Sequence, residues 1–153
     1  IGSFIERAVE KLREEKMLAQ KLGVFIKTNR FGEGSYYSNF EVTTLDVASH
    51  YTPSFITAGK KALKYIYKPH LAYKKAGICL LDLSRPETFQ ASFLSHISPK
   101  KKQLMLTLDK LNQRYGKRTI SYGSVNQSAI SITQRQFLSP HYTTNWKDLP
   151  KAK

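Results

Sequence analysis

The chain has 153 residues, of which 41% are apolar and 12% aromatic, enough to bury one core, or one core with a small appended unit, and too much for wholesale disorder. Twenty-five Lys and Arg against eleven Asp and Glu leave a net charge of +14, which favours a polyanionic partner, nucleic acid ahead of an acidic membrane surface. One cysteine, Cys79, excludes an internal disulfide framework, and with no apolar run of about 18 residues and no signal-like start, a cytoplasmic location is the expectation.

The chain opens on Ile1, just ahead of a helix pattern, as expected of a piece of a longer protein. Phe4 to Leu22 places Ile5, Ala8, Val9, Leu12 and Ala19 near helical spacing, with Ser3 and Glu6 in capping-box order and Gly23 as the stop. Val24 to Thr28 and Tyr36 to Leu45 then read as two strands of an antiparallel hairpin, with Phe40 and Val42 facing a core. Thr52 and Pro53 start a second helix, whose inward face is Phe55, Gly59, Ala62, Leu63 and Ile66 and which Pro69 ends. Tyr73 to Leu83 reads as a third strand, central or well covered because Ile78 to Leu81 is apolar throughout.

Periodicity fades from Ser84 to about Lys101, which reads as a linker. A third helix, Lys102 to Tyr115, carries Leu104, Leu108 and Leu111 on one face. A short hairpin of Thr119 to Tyr122 with Ala129 to Thr133 follows, before a polar, basic tail. The expectation is an α+β fold: a small antiparallel sheet backed by two helices on one face, then a linker and a small helix-plus-hairpin unit. The boundaries are 1–83, 84–101 and 102–153.

No enzyme constellation stands out. Asp46, Asp82, Asp109 and Asp148 lie in separate elements, and His50, His70, His96 and His141 have no ligand-spaced neighbours. Lys27, Arg30, Lys74 and Lys75 are better placed to meet phosphates along one edge of the sheet, although lysines also serve simply to keep an exposed strand soluble. Gln90 to Leu94 is an apolar peptide in a polar linker, either a hook for a partner's groove or a segment folded back on its own domain.

The segments AVEKLR at Ala8 to Arg13, FIKT at Phe25 to Thr28, the pair Tyr36 and Tyr37, YKKAG at Tyr73 to Gly77 and FLSPHYTTNWKDLP at Phe137 to Pro150 resemble the C-terminal part of UmuC-type Y-family translesion DNA polymerases. The resemblance implies that residues 1–83 are a little finger domain without its first strand, gripping primer-template DNA through phosphates with Lys27, Lys74, Lys75 and a hydroxyl from Ser38, to which the reading of the residues adds Arg30. It sets Gln90, Ser92, Phe93 and Leu94 on the family's sliding-clamp motif, with Ala91 where that motif has leucine and Phe93, Leu94 in swapped order. Residues 102–153 match a C-terminal unit linked to binding of a UmuD-type partner. Nucleotidyl transfer, its magnesium and its carboxylates belong by this resemblance to a palm domain absent here, which leaves this stretch with no catalytic residue and no cofactor of its own, and the whole in SOS mutagenesis and DNA repair. A sheet-based RNA-binding module, with Tyr37 and Tyr73 as stacking aromatics, and a protein-interaction adaptor remain alternatives.

Overall fold

Helix α1 (Gly2–Glu14) buries Ile5, Val9 and Leu12 along one stripe and closes at a left-handed residue, Lys16, with φ of 54°. The Lys16 amide donates to Arg13 O and the Met17 amide to Leu12 O, a helix-ending geometry that glycine usually supplies. The computed structural model describes residues 1–32, 35–86, 98–125, 141 and 144–149. Within them the elements run α1, β1 (Leu18–Thr28), β2 (Ser38–Ser49), α2 (Thr52–Ile66), β3 (Tyr73–Ser84), α3 (Pro99–Tyr115) and a 3-10 turn at Trp146–Asp148.

The sheet is antiparallel with order β2-β1-β3. Strand β1 is therefore central and β3 lies at an edge, so of the two places expected for β3, central or well covered, the central one is not taken. Its apolar run is explained by contact on both sides, since Ile78 and Leu80 pack on the core while Gly77 and Cys79 meet side chains of the other face.

Two further expectations are corrected. Strand β1 starts at Leu18, inside the stretch read as helix, and Gly23 lies within the strand rather than ending a helix. Phe40 and Val42 do not face the core; they are 49% and 38% exposed on the side away from the helices.

Both anticipated caps are used otherwise. Helix α1 has Ile1 at its N-cap with no side-chain cap, and Glu6 Oε1 accepts the Tyr122 amide at 3.0 Å. Helix α2 has Tyr51 at its N-cap, and Thr52 Oγ1 accepts from Arg13 at 2.8 Å.

The core lies between the sheet and helices α1 and α2. Leu22, Val24 and Ile26 from β1 meet Ile5, Val9 and Leu12 from α1 and Phe55, Ile56, Ala62 and Ile66 from α2. Gly59 lets α1 come close, because a Cβ there would strike Ile5 Cδ1. Helix α3 docks beside α1 through Arg13, whose Nε and Nη2 donate to the Asp109 carboxylate at 2.6 and 2.7 Å, while Nη1 donates to His50 O and Thr52 Oγ1. Met105, rather than Leu104, is the buried residue of α3, and Tyr122 Oη donates to its Sδ.

Thr119 to Tyr122 is irregular rather than a strand. Its Ile120 is held by Asn112, whose side chain accepts the Ile120 amide and donates to the Ile120 carbonyl. The second strand expected there, and the 90–94 peptide, lie outside the described residues.

Leu22→Ala removes a side chain buried on all sides, and a destabilisation of about 2–5 kcal/mol is expected, read as a lower urea midpoint at unchanged slope. The His50 imidazole, beside the Arg13 network, has its pKa lowered by burial first and then by Arg13 and Lys102, with Asp109 opposing. Folding thus favours its neutral form and unfolding takes up a proton. The stability it contributes is complete above the ordinary value of 6.5 and declines as pH falls through that value towards the lowered folded-state value. His50→Gln should flatten the pH dependence of the thermal midpoint across this window.

Candidate nucleic-acid interface

The helix-free face of the sheet is built by alternation along β1. Leu22, Val24 and Ile26 turn to the core, so Gly23, Phe25 and Lys27 turn the other way. Register then sets their neighbours: Phe25 lies between Phe40 and Gly77, and Lys27 between Ser38 and Lys75. Facing partners in adjacent strands stand about 5 Å apart at Cα, so Ser38, Lys27 and Lys75 form one rung across the sheet.

Glycine keeps the middle of this face low. A Cβ at Gly23 would come within 2.6 Å of Phe40 Cζ and of Cys79 Sγ, and one at Gly77 would strike the Phe25 ring. Each phenyl ring therefore lies over a bare stretch of neighbouring backbone, a known way of covering strand glycines with aromatics. The Lys27 ammonium sits 5.7 Å from the centre of the Phe25 ring, its stem resting on apolar surface with its charge outward.

Charge is uneven along the sheet. At one end Lys21 pairs with Asp82 at 2.8 Å. At the other, among the described residues, Lys27, Lys74, Lys75 and Arg30 are all exposed and none forms an ion pair. Lys74 is the extra residue where the β1–β3 register shifts, since Lys27 pairs with Lys75 and Thr28 with Tyr73. The five residues singled out in the sequence, Lys27, Arg30, Ser38, Lys74 and Lys75, thus gather at one end of the sheet rather than along one edge.

Tyr37 and Tyr73, the candidate stacking residues of an RNA-binding face, pack instead against the core on the helix side. Tyr37 Oη donates to Ile66 O at 2.7 Å, and Tyr73 Oη accepts the Lys68 amide and donates to the Lys68 carbonyl. Sequence reading missed Phe25 and Phe40 as the open-face aromatics; the signal was a glycine inside each of two strands, Gly23 and Gly77. Gln90, Ser92, Phe93 and Leu94 lie outside the described residues. Among the described residues no three His, Cys, Asp or Glu gather to hold a metal ion, and no helix is long and apolar enough to cross a membrane.

By fold and surface this is a small α+β module with a basic, open sheet. The model of the impB/mucB/samB family C-terminal domain matches residues 1–93, and that of DUF4113, a domain of unknown function, matches residues 102–152. The chain belongs to the impB/mucB/samB C-terminal domain family. It is 34% identical to protein MucB of Salmonella typhimurium over 99% of its length, 33% identical to protein ImpB of Salmonella typhimurium over 100%, and 32% identical to protein UmuC of that species over 100%. The resemblance to UmuC and its relatives read from the sequence is therefore borne out. The chain spans only 36% of that MucB and 37% of the ImpB and UmuC proteins.

Proposed function

We propose that this chain is the DNA-gripping and partner-docking region of an error-prone translesion DNA polymerase, holding primer-template duplex by its sugar-phosphate backbones. The observation that carries the reading is the rung Ser38–Lys27–Lys75 on the helix-free face, flanked by exposed Lys74 and Arg30. A low surface with cations at one end suits contact with phosphates, which carry charge but no sequence information. Phe25 and Phe40 lie across the sheet with Gly23 and Gly77 beneath them, which lets a broad, stiff duplex approach without striking tall side chains.

Docking belongs to the rest of the chain in this proposal. Gln90, Ser92, Phe93 and Leu94 insert into a sliding clamp's apolar groove, with glutamine supplying the polar anchor. The unit from residue 102 onward meets a UmuD-type partner. Magnesium-dependent nucleotidyl transfer is the work of a palm domain elsewhere in the longer protein, placed on damaged template by this region. The RNA-binding alternative is weakened by the bonded hydroxyls of Tyr37 and Tyr73, which hold those rings on the wrong side of the sheet for stacking.

The test is binding to blunt duplex DNA across a salt series. The native chain should bind weakly, without sequence preference and with strong salt dependence. A Lys27→Ala, Lys74→Ala, Lys75→Ala triple variant should lose about one unit of the log-log salt slope for each lysine that contacts phosphate. Equal affinity and slope for native and triple variant would contradict the assignment.

A further inference from the structure

Three tyrosines form a connected stack at the end of the sheet where Lys27 and Lys75 lie. The Tyr37 and Tyr73 rings meet edge to face at 6.3 Å, and the Tyr73 and Tyr67 rings tilt together at 5.6 Å. The inner two are fixed by their hydroxyls, Tyr37 to Ile66 O and Tyr73 to both backbone groups of Lys68. The outermost ring, Tyr67, is 54% exposed. It rests against the fixed Tyr73 ring while more than half of it stays open to solvent, and packing of this kind lowers the ordering cost of a stacking contact.

The surroundings select the ligand. Tyr36 and Phe31, also exposed, lie in the β1–β2 connection at this same end. Lys68 holds its ammonium 4.6 Å from the centre of the Tyr37 ring. The described residues of this end, 27–32, 35–38 and 65–75, contain no Asp or Glu but include Lys27, Arg30, Lys68, Lys74 and Lys75. Exposed rings beside cations that form no ion pair among the described residues match the chemistry of a single-stranded nucleic acid, whose bases stack on aromatics while its phosphates meet lysines. An apolar protein partner would use the rings but leave the cations opposed by nothing, and a duplex offers phosphates but keeps its bases inside.

We propose that this end of the sheet, with Tyr67 as the stacking platform and Lys68 and Lys74 as phosphate contacts, binds an unpaired strand where it leaves the duplex held by the open face. The inference rests on the duplex-gripping reading for the position of that junction. Stacking involves the π-face of any base, so this contact carries no sequence preference and tolerates altered bases.

Fluorescence anisotropy with two labelled probes tests it: a blunt DNA duplex, and the same duplex with a thymidine overhang. The native chain should bind the overhang probe more tightly than the blunt one. Tyr67→Ala should weaken overhang binding about tenfold and leave blunt-duplex binding unchanged, while Tyr67→Phe should keep the native preference. An unchanged overhang preference in Tyr67→Ala would overturn the proposal, and so would an equal loss on both probes. Failure of the duplex-gripping reading would appear separately, as blunt-duplex binding indifferent to the loss of Lys27, Lys74 and Lys75.

Discussion

The central strand β1 has to satisfy two solvents at once, and most of the architecture follows from how it does so. On one side Leu22, Val24 and Ile26 are fully or nearly fully buried against α1 and α2. That contact supplies the hydrophobic term that makes the fold stable, at about 25 cal/mol for each Å² of apolar surface removed from water. On the other side the same strand offers Gly23, Phe25 and Lys27, and pairing on both flanks fixes what lies beside them. A slip of one residue would turn Lys27 inward and Ile26 outward. Burial of the aliphatic side therefore holds the lysine side in register, so the surface charge is positioned by the core.

A second constraint joins the C-terminal helix to this unit. The Arg13 guanidinium, with its side chain only 8% exposed, bonds Asp109 from α3 and both His50 O and Thr52 Oγ1 at the start of α2. A buried pair of this kind adds little net stability by itself, but losing either partner strands a charge. Its effect is orientation: α1, α2 and α3 meet at one side chain. The regions matched by the two family models, 1–93 and 102–152, are thereby in direct contact.

What could be read from the residues depended on how local the signal was. Helix α2 was legible because Pro53 marks its start, Pro69 lies just beyond its end and its apolar stripe has helical spacing. The first half of β1 was not, since Leu18, Ala19, Gln20, Lys21 and Leu22 all favour or tolerate helix and become a strand only by pairing with β2 and β3. No glycine marks the end of α1, because Lys16 adopts the left-handed conformation itself. Alternation in β2 separated its two faces correctly but assigned Phe40 and Val42 to the wrong one. Apolar residues pointed away from the helices because bare glycine backbone on β1 gave Phe40 something to cover. The lysines of the site were each visible, but only the register that sets Lys27 beside Lys75 shows them as a cluster, and nothing local tied Arg13 to Asp109.

In the proposed function, duplex DNA lies on the helix-free face, with its phosphates at the Lys27 end. Backbone amide shifts of the isotopically labelled chain, followed by NMR during titration with blunt duplex DNA, test it most directly. The largest changes should fall on Phe25, Lys27, Ser38, Phe40 and Lys75, with the buried turns of α1 and α2 unmoved. Changes centred on the lysines of α2, Lys60, Lys61 and Lys64, or on α3, with the sheet face silent, would contradict it.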